Sequence, residues 1–426
     1  MEYTLESQKI LRGDLLIPPD KSLSHRAVMF NSIAKGKARI SNFLMGEDCL
    51  STISVLSKLG VKIQIENNSV ITFGEGIESL KKPDDILNVG NSGTTIRLMS
   101  GILAGRKFIS TLDGDSSIRK RPMKRIIEPL SLMGADISAL NHNENAPITF
   151  NGGKLKSLNY DLPIASAQLK SSLILAGLRS EDGIKIREKA TSRDHTERLL
   201  SNMGANISTN GLEIEVKPSS IESRDITVPG DISSASFWMV AAAIHKNADL
   251  TIRNVGINNT RSGIISVLKR MGALIEFSNE KDYSGEPACD INVRSSKLKG
   301  TLISGDEIPL LIDEIPIIAL AAVFAEGQTK IVDAEELRYK ESDRIALTVE
   351  WMKNAGADIN ELKDGMIIEG TGIIHGGNFS SNGDHRLAMT LGIASLVCEK
   401  RINIENPDAS NVSYPNFWDS LKKLGE

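Results

Sequence analysis

The residues with the clearest chemical meaning lie in PDKSLSHR, where Lys21, Ser22 and Arg26 surround the expected start of a helix. Arg26 follows Ser22 by one helical turn, so both side chains share one face. A helix dipole disfavours cations at the helix N-terminus unless an anion offsets them. This segment therefore predicts an anion site, with a solvated helix start as the alternative.

Four more segments place cations, amides or small polar residues at expected helix starts. GNSGTTIR contains Gly93, whose missing Cβ lets a ligand approach the backbone, although its spacing matches no dinucleotide or nucleoside-triphosphate loop. SSIRKRPMKR crowds cations around Arg121, next to a Pro that is expected to open a helix. PIASAQLK supplies Ser166 and Gln168, and TSRDHTER supplies Arg193. The alternatives are ordinary caps and a solvated charge run.

Carboxylates stand in three later segments, and two of these also carry cations. An Asp-Glu pair beginning at Asp313 interrupts apolar sequence at the head of a helix, where a cap carboxylate and an acid/base group are the two alternatives. In ELRYKESDRI, Lys340 and Arg344 are four residues apart and are expected to share a helical face, with Glu341 alongside. NGDHRLAM adds Arg386 at another helix start.

These segments recur because one folding unit of roughly 70 residues is repeated six times. In each unit an amphipathic helix ends at a Gly suited to a left-handed C-cap: Gly60, Gly134, Gly204, Gly272, Gly356 and Gly425. A second, almost wholly apolar helix opens near Ser22, Ser92, Ser166, Ser233, Asp313 or Asp384. Such a helix is buried, and only its polar N-terminus is exposed. Each unit is expected to run helix, strand, turn, strand, then a strand leading into the buried helix.

The six units divide into two halves, because LLIPPDK and ITVPGDIS both place Pro beside Asp just before a buried helix. We predict one domain over residues 20–228 and a second that combines 1–19 with 229–426. The 426 residues carry a formal charge of −4, which argues against partners such as nucleic acid or a membrane surface.

Several patterns that other classes of protein need are missing from the sequence. The six His show no metal-ligand spacing, so we expect no metal and no cofactor. The three Cys are scattered and the start has no signal-peptide pattern, which favours a cytoplasmic protein. The longest apolar run is too short for a bilayer span of about 20 residues.

With its six units and its PDKSLSHR, GNSGTTIR, RKRPM, SRDHTER, YKESDR and GDHRLAM motifs in order, the chain resembles the 5-enolpyruvylshikimate-3-phosphate synthase family over nearly its whole length. The resemblance implies two inside-out α/β barrel domains of three units each, with the active site in the cleft between them. It also implies transfer of an enolpyruvyl group from phosphoenolpyruvate to the 5-hydroxyl of shikimate-3-phosphate, by a protein expected to be a monomer.

The resemblance also assigns roles to individual residues. It implies that shikimate-3-phosphate is bound by Lys21, Ser22, Arg26, Ser166, Ala167, Gln168, Arg193, Asp313 and Lys340. It implies that phosphoenolpyruvate is bound by Lys21, Gly93, Arg121, Gln168, Arg344 and Arg386. Asp313 would take the 5-hydroxyl proton, Glu341 would protonate the methylene carbon, and Lys21 would be the third catalytic residue.

Two alternatives stay open at this point. A UDP-N-acetylglucosamine enolpyruvyl transferase would share the fold, but it normally carries a Cys in the loop that Ser116–Arg121 occupies here, where this chain has none. A six-unit DNA clamp would need basic helices facing DNA. The chain also departs from the enterobacterial form at Leu98, at Glu336 and in SNVSYPNF, which lacks that form's Lys.

Phosphate release should require both substrates and should persist in excess EDTA, because the sequence contains no metal-ligand pattern. A phosphate-release assay with and without the chelator measures this. Loss of activity in EDTA that zinc or magnesium restores would contradict the prediction.

Overall fold

The computed structural model describes residues 2–5 and 7–425, which form two compact units. The N-unit consists of Pro19–Val228 and Tyr283–Glu286, and the C-unit consists of Met1–Pro18, Pro229–Asp282 and Pro287–Glu426. The division predicted from sequence differs at residue 19 and at the turn 283–286. The turn belongs to the N-unit, whereas the strands on either side of it belong mainly to the C-unit. Nothing in the sequence of the turn predicts this.

Six apolar helices form the interior, and we number them buried helices 1 to 6. Their bounds are Lys21–Ile33, Gly93–Leu103, Ala167–Gly177, Ile232–Ile244, Ile315–Val323 and His385–Ser395. Buried helices 1 to 3 lie in the core of the N-unit, and buried helices 4 to 6 lie in the core of the C-unit. All nine residues of buried helix 5 are buried, as a helix that is apolar all round requires.

Side chains at the N-caps satisfy the first backbone N–H groups of five buried helices. Asp20 accepts from the N–H of Leu23 at 2.8 Å, and Asp231 accepts from the N–H of Ser233 at 2.8 Å. Ser92, Ser166 and Asp384 cap buried helices 2, 3 and 6 in the same way. The predicted starts near Ser22 and Ser233 are therefore two residues late, because an Asp precedes each of them and caps the helix. Buried helix 5 has no side-chain cap.

Six amphipathic helices pack outside the buried ones, and we number them outer helices 1 to 6. Their bounds are Glu47–Lys58, Lys124–Leu132, His195–Asn202, Gly263–Met271, Arg344–Asn354 and Phe417–Gly425. The predicted stops at Gly60, Gly134, Gly204, Gly272 and Gly356 are confirmed, since all five have φ between 88° and 99°. The sixth predicted stop, Gly425, is the last residue of outer helix 6.

Among the residues that the structure describes, each unit carries three sheets. Those of the N-unit are Ile226–Thr227, Lys35–Ser41, Ser69–Glu75, Lys62–Glu66; Leu87–Asn88, Ser110–Asp113, Asn145–Gly152, Asp136–Ala139; and Leu158–Asp161, Ile184–Arg187, Glu213–Val216, Ile207–Asn210. Those of the C-unit are Leu11–Leu16, Ala248–Gly256, Glu286–Arg294, Leu274–Tyr283; Leu302–Ile303, Gln328–Ile331, Gly365–Glu369, Asp358–Leu362; and Gly377–Ser380, Ile402–Glu405, Glu2–Leu5. Strands are given in spatial order. Short helical turns complete the chain: Ile77–Ser79, Ile118–Lys120, Leu140–Asn143, Gly305–Glu307, Ile308–Leu311, Ile312–Glu314, Glu335–Tyr339 and Pro407–Val412.

The sheets repeat one topology, in which the first strand is parallel to the second and the second is antiparallel to the third. The second strand follows the buried helix of its repeat directly, for example Lys35–Ser41 after buried helix 1. This strand was not predicted from the sequence pattern. The fold is α/β with three repeats in each unit, and no helix among the described residues is long and apolar enough to cross a membrane.

Gly101 allows buried helices 2 and 3 to approach closely, because a Cβ there would lie 2.1 Å from the carbonyl oxygen of Ser172. Gly101→Ala should lower the free energy of unfolding by about 3 kcal/mol, although Ala is the better helix former. Gly204→Ala, whose Cβ would meet nothing within 4 Å, should cost only the left-handed strain of about 1 kcal/mol. Urea unfolding followed by circular dichroism compares the two, and equal losses would contradict the close approach.

Candidate active site

Arg344 is the centre of a carboxylate cluster in the C-unit. It is the first residue of outer helix 5 and only 1% of its side chain is exposed. Its Nε lies 2.8 Å from Oδ2 of Asp384, its Nη2 2.5 Å from Oε2 of Glu341, and its Nη1 3.4 Å from Oδ1 of Asp313. Burial opposes the charged guanidinium, but Asp384, Glu341 and Asp313 outweigh burial and raise the pKa of Arg344.

Asp313 joins the two cations that the sequence analysis placed on one helical face. Its Oδ1 lies 3.3 Å from Nζ of Lys340 as well as 3.4 Å from Arg344. Lys340 is not on the helix, however, because it follows the turn Glu335–Tyr339 and outer helix 5 begins only at Arg344. The two cations therefore meet at a shared carboxylate rather than along a helix.

Arg386 lies near the start of buried helix 6 and has fewer acidic partners than Arg344. Its Nη1 donates a hydrogen bond to Oγ of Ser233 and lies 3.6 Å from Oε1 of Glu314. Its Nε is buried and has no hydrogen-bond partner among the residues that the structure describes. Of these two arginines, Arg386 thus keeps an open donor for an added anion.

In the N-unit, three predicted phosphoenolpyruvate ligands lie together at the start of buried helix 2. Nη1 of Arg121 would lie 2.8 Å from a Cβ on Gly93, and Nη2 of Arg121 donates to Oδ1 of Asn91 at 2.6 Å. Gln168 reaches the same helix, because its Nε2 donates to Oγ1 of Thr94 at 3.1 Å. Arg121 itself is not at a helix start, since outer helix 2 begins at Lys124.

Arg26 is held inside the N-unit by polar groups of two other helices. Its Nε donates to Oγ1 of Thr196 at 2.8 Å, its Nη2 to Oγ of Ser171 at 3.0 Å, and its Nη1 to the carbonyl of Ser22 at 3.1 Å. Burial, and then the like charge of Arg193, lower the pKa of Arg26 to about 10. Glu197, Asp20 and Glu286 oppose this shift in part, and Arg193 itself is half-buried.

Other predicted residues make simpler contacts. Nζ of Lys21 lies 3.3 Å from Oδ2 of Asp48, in a pair that is only partly exposed. Ser166 caps buried helix 3, because its Oγ accepts from the N–H of Leu169 at 3.3 Å, and Ala167 is the first residue of that helix. The capping role that the sequence analysis weighed for Ser166 is therefore present.

The N-unit also contains a buried ion cluster that was not predicted from the sequence. Nζ of Lys170 lies 2.9 Å from Oε2 of Glu188 and 2.7 Å from Oε1 of Glu197, and it donates to the carbonyl of Ser192 at 3.2 Å. Burial raises the pKa of Glu197, although Lys170 opposes that shift. The cluster anchors the segment that carries Arg193. A Lys in an otherwise apolar helix was the one signal for it.

Each unit therefore offers several cations at or near helix starts, and the C-unit adds two partly exposed carboxylates. The side chain of Asp313 is 13% exposed and that of Glu341 is 26% exposed, so a ligand can reach both. Such an arrangement can bind phosphate or carboxylate groups and can exchange protons with them. Within the described ranges, no three His, Cys, Asp or Glu side chains are grouped as metal ligands.

Comparison with known proteins gives the same family along the whole sequence. The family model described as EPSP synthase (3-phosphoshikimate 1-carboxyvinyltransferase) matches residues 5–421. A 3-phosphoshikimate 1-carboxyvinyltransferase from Thermoanaerobacter sp. (strain X514) is 50% identical, over 100% of both chains. One from Herpetosiphon aurantiacus is 47% identical, again over 100% of both chains.

Solved structures show a similar fold. The EPSP synthase from Acinetobacter baumannii superposes with a TM-score of 0.89 at 42% identity, covering 100% of this chain and 98% of that one. The enolpyruvyl transferase NikO from Streptomyces tendae superposes with a TM-score of 0.81 at 16% identity, covering 99% and 97%. The second likeness concerns the fold alone.

Replacing Asp384 by Asn should destabilise the protein at pH 7 by about 3 kcal/mol, because Arg344 then loses one partner of a buried ion pair. Burial disfavours the Asp384 carboxylate, but the charge of Arg344 outweighs it and lowers the pKa of Asp384. The stabilisation is therefore present above the unfolded-state pKa and is lost as the pH falls through the folded-state pKa.

The difference in urea midpoint between wild type and Asp384→Asn should accordingly narrow towards acid pH. Asp358→Asn, at an exposed position of the same unit, is the control and should change the midpoint little at any pH. A difference that stays constant down to pH 2 would contradict the ion-pair explanation.

Proposed function

The chain belongs to the EPSP synthase family, and on that premise we propose how its residues transfer the enolpyruvyl group of phosphoenolpyruvate to the 5-hydroxyl of shikimate-3-phosphate with release of phosphate. The chain is a transferase, 3-phosphoshikimate 1-carboxyvinyltransferase. Both substrates are anions, so the first task of the protein is to overcome their repulsion. Cations on both units suit this task.

Phosphoenolpyruvate is bound, in this proposal, by Arg344, Arg386, Lys21, Gly93, Arg121 and Gln168. The contact of Gly93 with Arg121 and the open Nε of Arg386 support the assignment. Shikimate-3-phosphate is bound by Lys21, Ser22, Arg26, Ser166, Ala167, Gln168, Arg193, Asp313 and Lys340. The repulsion between the Arg26 and Arg193 charges supports a phosphate there, because a dianion would relieve it.

Asp313 acts as the base and Glu341 as the acid. Two neighbouring cations favour the carboxylate form of Asp313, which a base needs to accept the 5-hydroxyl proton. The freed oxygen attacks C2 of phosphoenolpyruvate while Glu341 protonates C3. The Glu341 carboxylate then takes one proton back from C3 and Asp313 returns its proton to the departing phosphate, which restores the double bond. Glu341 contacts Arg344, so an anion bound to Arg344 lies beside this acid.

The observation that carries the proposal is that Asp313 and Glu341 both contact the buried guanidinium of Arg344, while Lys340 contacts Asp313. Neither alternative from the sequence analysis is favoured, since the named relatives are 3-phosphoshikimate 1-carboxyvinyltransferases over their full length. We also propose a monomer in the cytoplasm. The three cysteines are free thiols, which suits a reducing compartment. Phosphate release in the presence of both substrates tests the activity, and size-exclusion chromatography tests the monomer.

Asp313→Asn and Glu341→Gln should each lower kcat by roughly 100-fold or more, because each removes a proton acceptor or donor. Equilibrium binding of both substrates should stay within about tenfold of wild type, since the amides keep the shape of the side chains. Steady-state kinetics and calorimetric titration measure the two effects.

Asp306→Asn is the matched control, because Asp306 is an exposed Asp shortly before Asp313 in the same unit. Its kcat should equal that of wild type. A variant of Asp313 or Glu341 that turns over as fast as Asp306→Asn would refute the role given to that residue.

A further inference from the structure

Glu314 is an unusual carboxylate, because it stands at the head of a buried helix and does not cap it. It is the N-cap residue of buried helix 5, yet it makes no side-chain hydrogen bond to that helix. It is fully buried, and its two oxygens accept hydrogen bonds from Nη1 of Arg261 at 3.0 and 3.2 Å. The carboxylate is thus directed to charges outside its own helix.

Ser233 connects this carboxylate to Arg386. The Oγ of Ser233 accepts a hydrogen bond from Nη1 of Arg386 and donates one to Oε1 of Glu314. One hydroxyl thereby joins the starts of buried helices 4, 5 and 6. Only Nη1 of Arg386 is held in this way, which leaves its Nε for another acceptor.

The charges of the cluster explain why a neutral hydroxyl stands between the ions. Arg261 has a second acidic neighbour, because its Nη2 lies 3.6 Å from Oδ1 of Asp231. Glu314 therefore balances Arg386 only in part, at 3.6 Å and through Ser233. A guanidinium that is fixed in place but incompletely neutralised is suited to bind an anion without first breaking a strong ion pair. Arg344, in contrast, contacts three carboxylates directly.

We infer that Ser233 and Glu314 are positioning residues for phosphoenolpyruvate binding, acting through Arg386. The inference rests on the proposed function, in which Arg386 binds phosphoenolpyruvate. Ser233 fixes the direction of the guanidinium, and Glu314 fixes the hydroxyl of Ser233. Neither residue needs to touch a substrate for this role.

Ser233→Ala tests the inference, and Ser236→Ala is its matched control. Ser236 is an equally buried serine one turn later in buried helix 4, and its hydroxyl donates only to the carbonyl of Ser233. Steady-state kinetics with each substrate varied in turn should show that Ser233→Ala raises KM for phosphoenolpyruvate about tenfold, as expected for a lost hydrogen bond to a charged group. Its kcat and its KM for shikimate-3-phosphate should stay within about threefold of wild type, because the bond is made in both the ground state and the transition state. All three constants of Ser236→Ala should stay within about twofold of wild type, because only a neutral bond to backbone is lost.

A double-mutant cycle separates positioning from a general structural effect. In an Arg386→Lys background, Ser233→Ala should change KM for phosphoenolpyruvate by less than about twofold, because its target is gone. Glu314→Gln should raise the same KM while sparing KM for shikimate-3-phosphate. If it does not fold, the Ser233 cycle decides alone.

The outcomes distinguish this inference from the proposed function. The inference would be overturned, and the proposed function left standing, by two results with an active wild type. In the first, Ser233→Ala and Ser236→Ala have equal KM values for phosphoenolpyruvate. In the second, Ser233→Ala raises the KM values of both substrates together. An additive effect in the Arg386→Lys background would overturn it as well. A wild-type chain that releases no phosphate with both substrates would overturn the proposed function, and this inference with it.

Discussion

When an apolar helix is buried, the N–H groups of its first turn still lack hydrogen-bond acceptors within the helix. Six such helices form the interior of this protein, and five of them use a side chain of Asp or Ser to satisfy those groups. The helix dipole adds positive potential at the same points. Each helix start therefore has positive potential, which favours negative charge there.

The C-unit has two buried arginines at helix starts, Arg344 on outer helix 5 and Arg386 on buried helix 6, and their charges are compensated in two ways. Arg344 is neutralised directly by Asp384, Glu341 and Asp313. Arg386 is held through a neutral hydroxyl with one carboxylate at 3.6 Å. The first arrangement keeps two exchangeable carboxylates beside a buried charge, as acid/base chemistry requires. The second keeps a cation available for an anionic substrate.

In the N-unit, Arg26 and Arg121 have neutral hydrogen-bond partners, whereas Lys21 pairs with Asp48. Arg26 donates to hydroxyls and to a carbonyl, and Arg121 donates to an amide. These acceptors carry no net charge. Acids lie near Arg26 as well, because Glu197, Asp20 and Glu286 oppose the lowering of its pKa by burial, and Glu188 and Glu197 pair with Lys170.

The sequence by itself determined the repeat, the six buried helices and five left-handed Gly stops, and it placed the starts of the buried helices to within about two residues. Local patterns determine these, because a helix that is apolar all round has to be buried and a left-handed C-cap favours Gly. The sequence did not determine which cation meets which acid. Lys340 and Arg344 meet at Asp313 and not along a helix, and Arg386 reaches Glu314 through Ser233, which is 153 positions away from Arg386. Only the packing of three helix starts against one another brings such distant side chains within hydrogen-bond distance. The residue pattern of one helix does not predict the charges on the helices that pack against it.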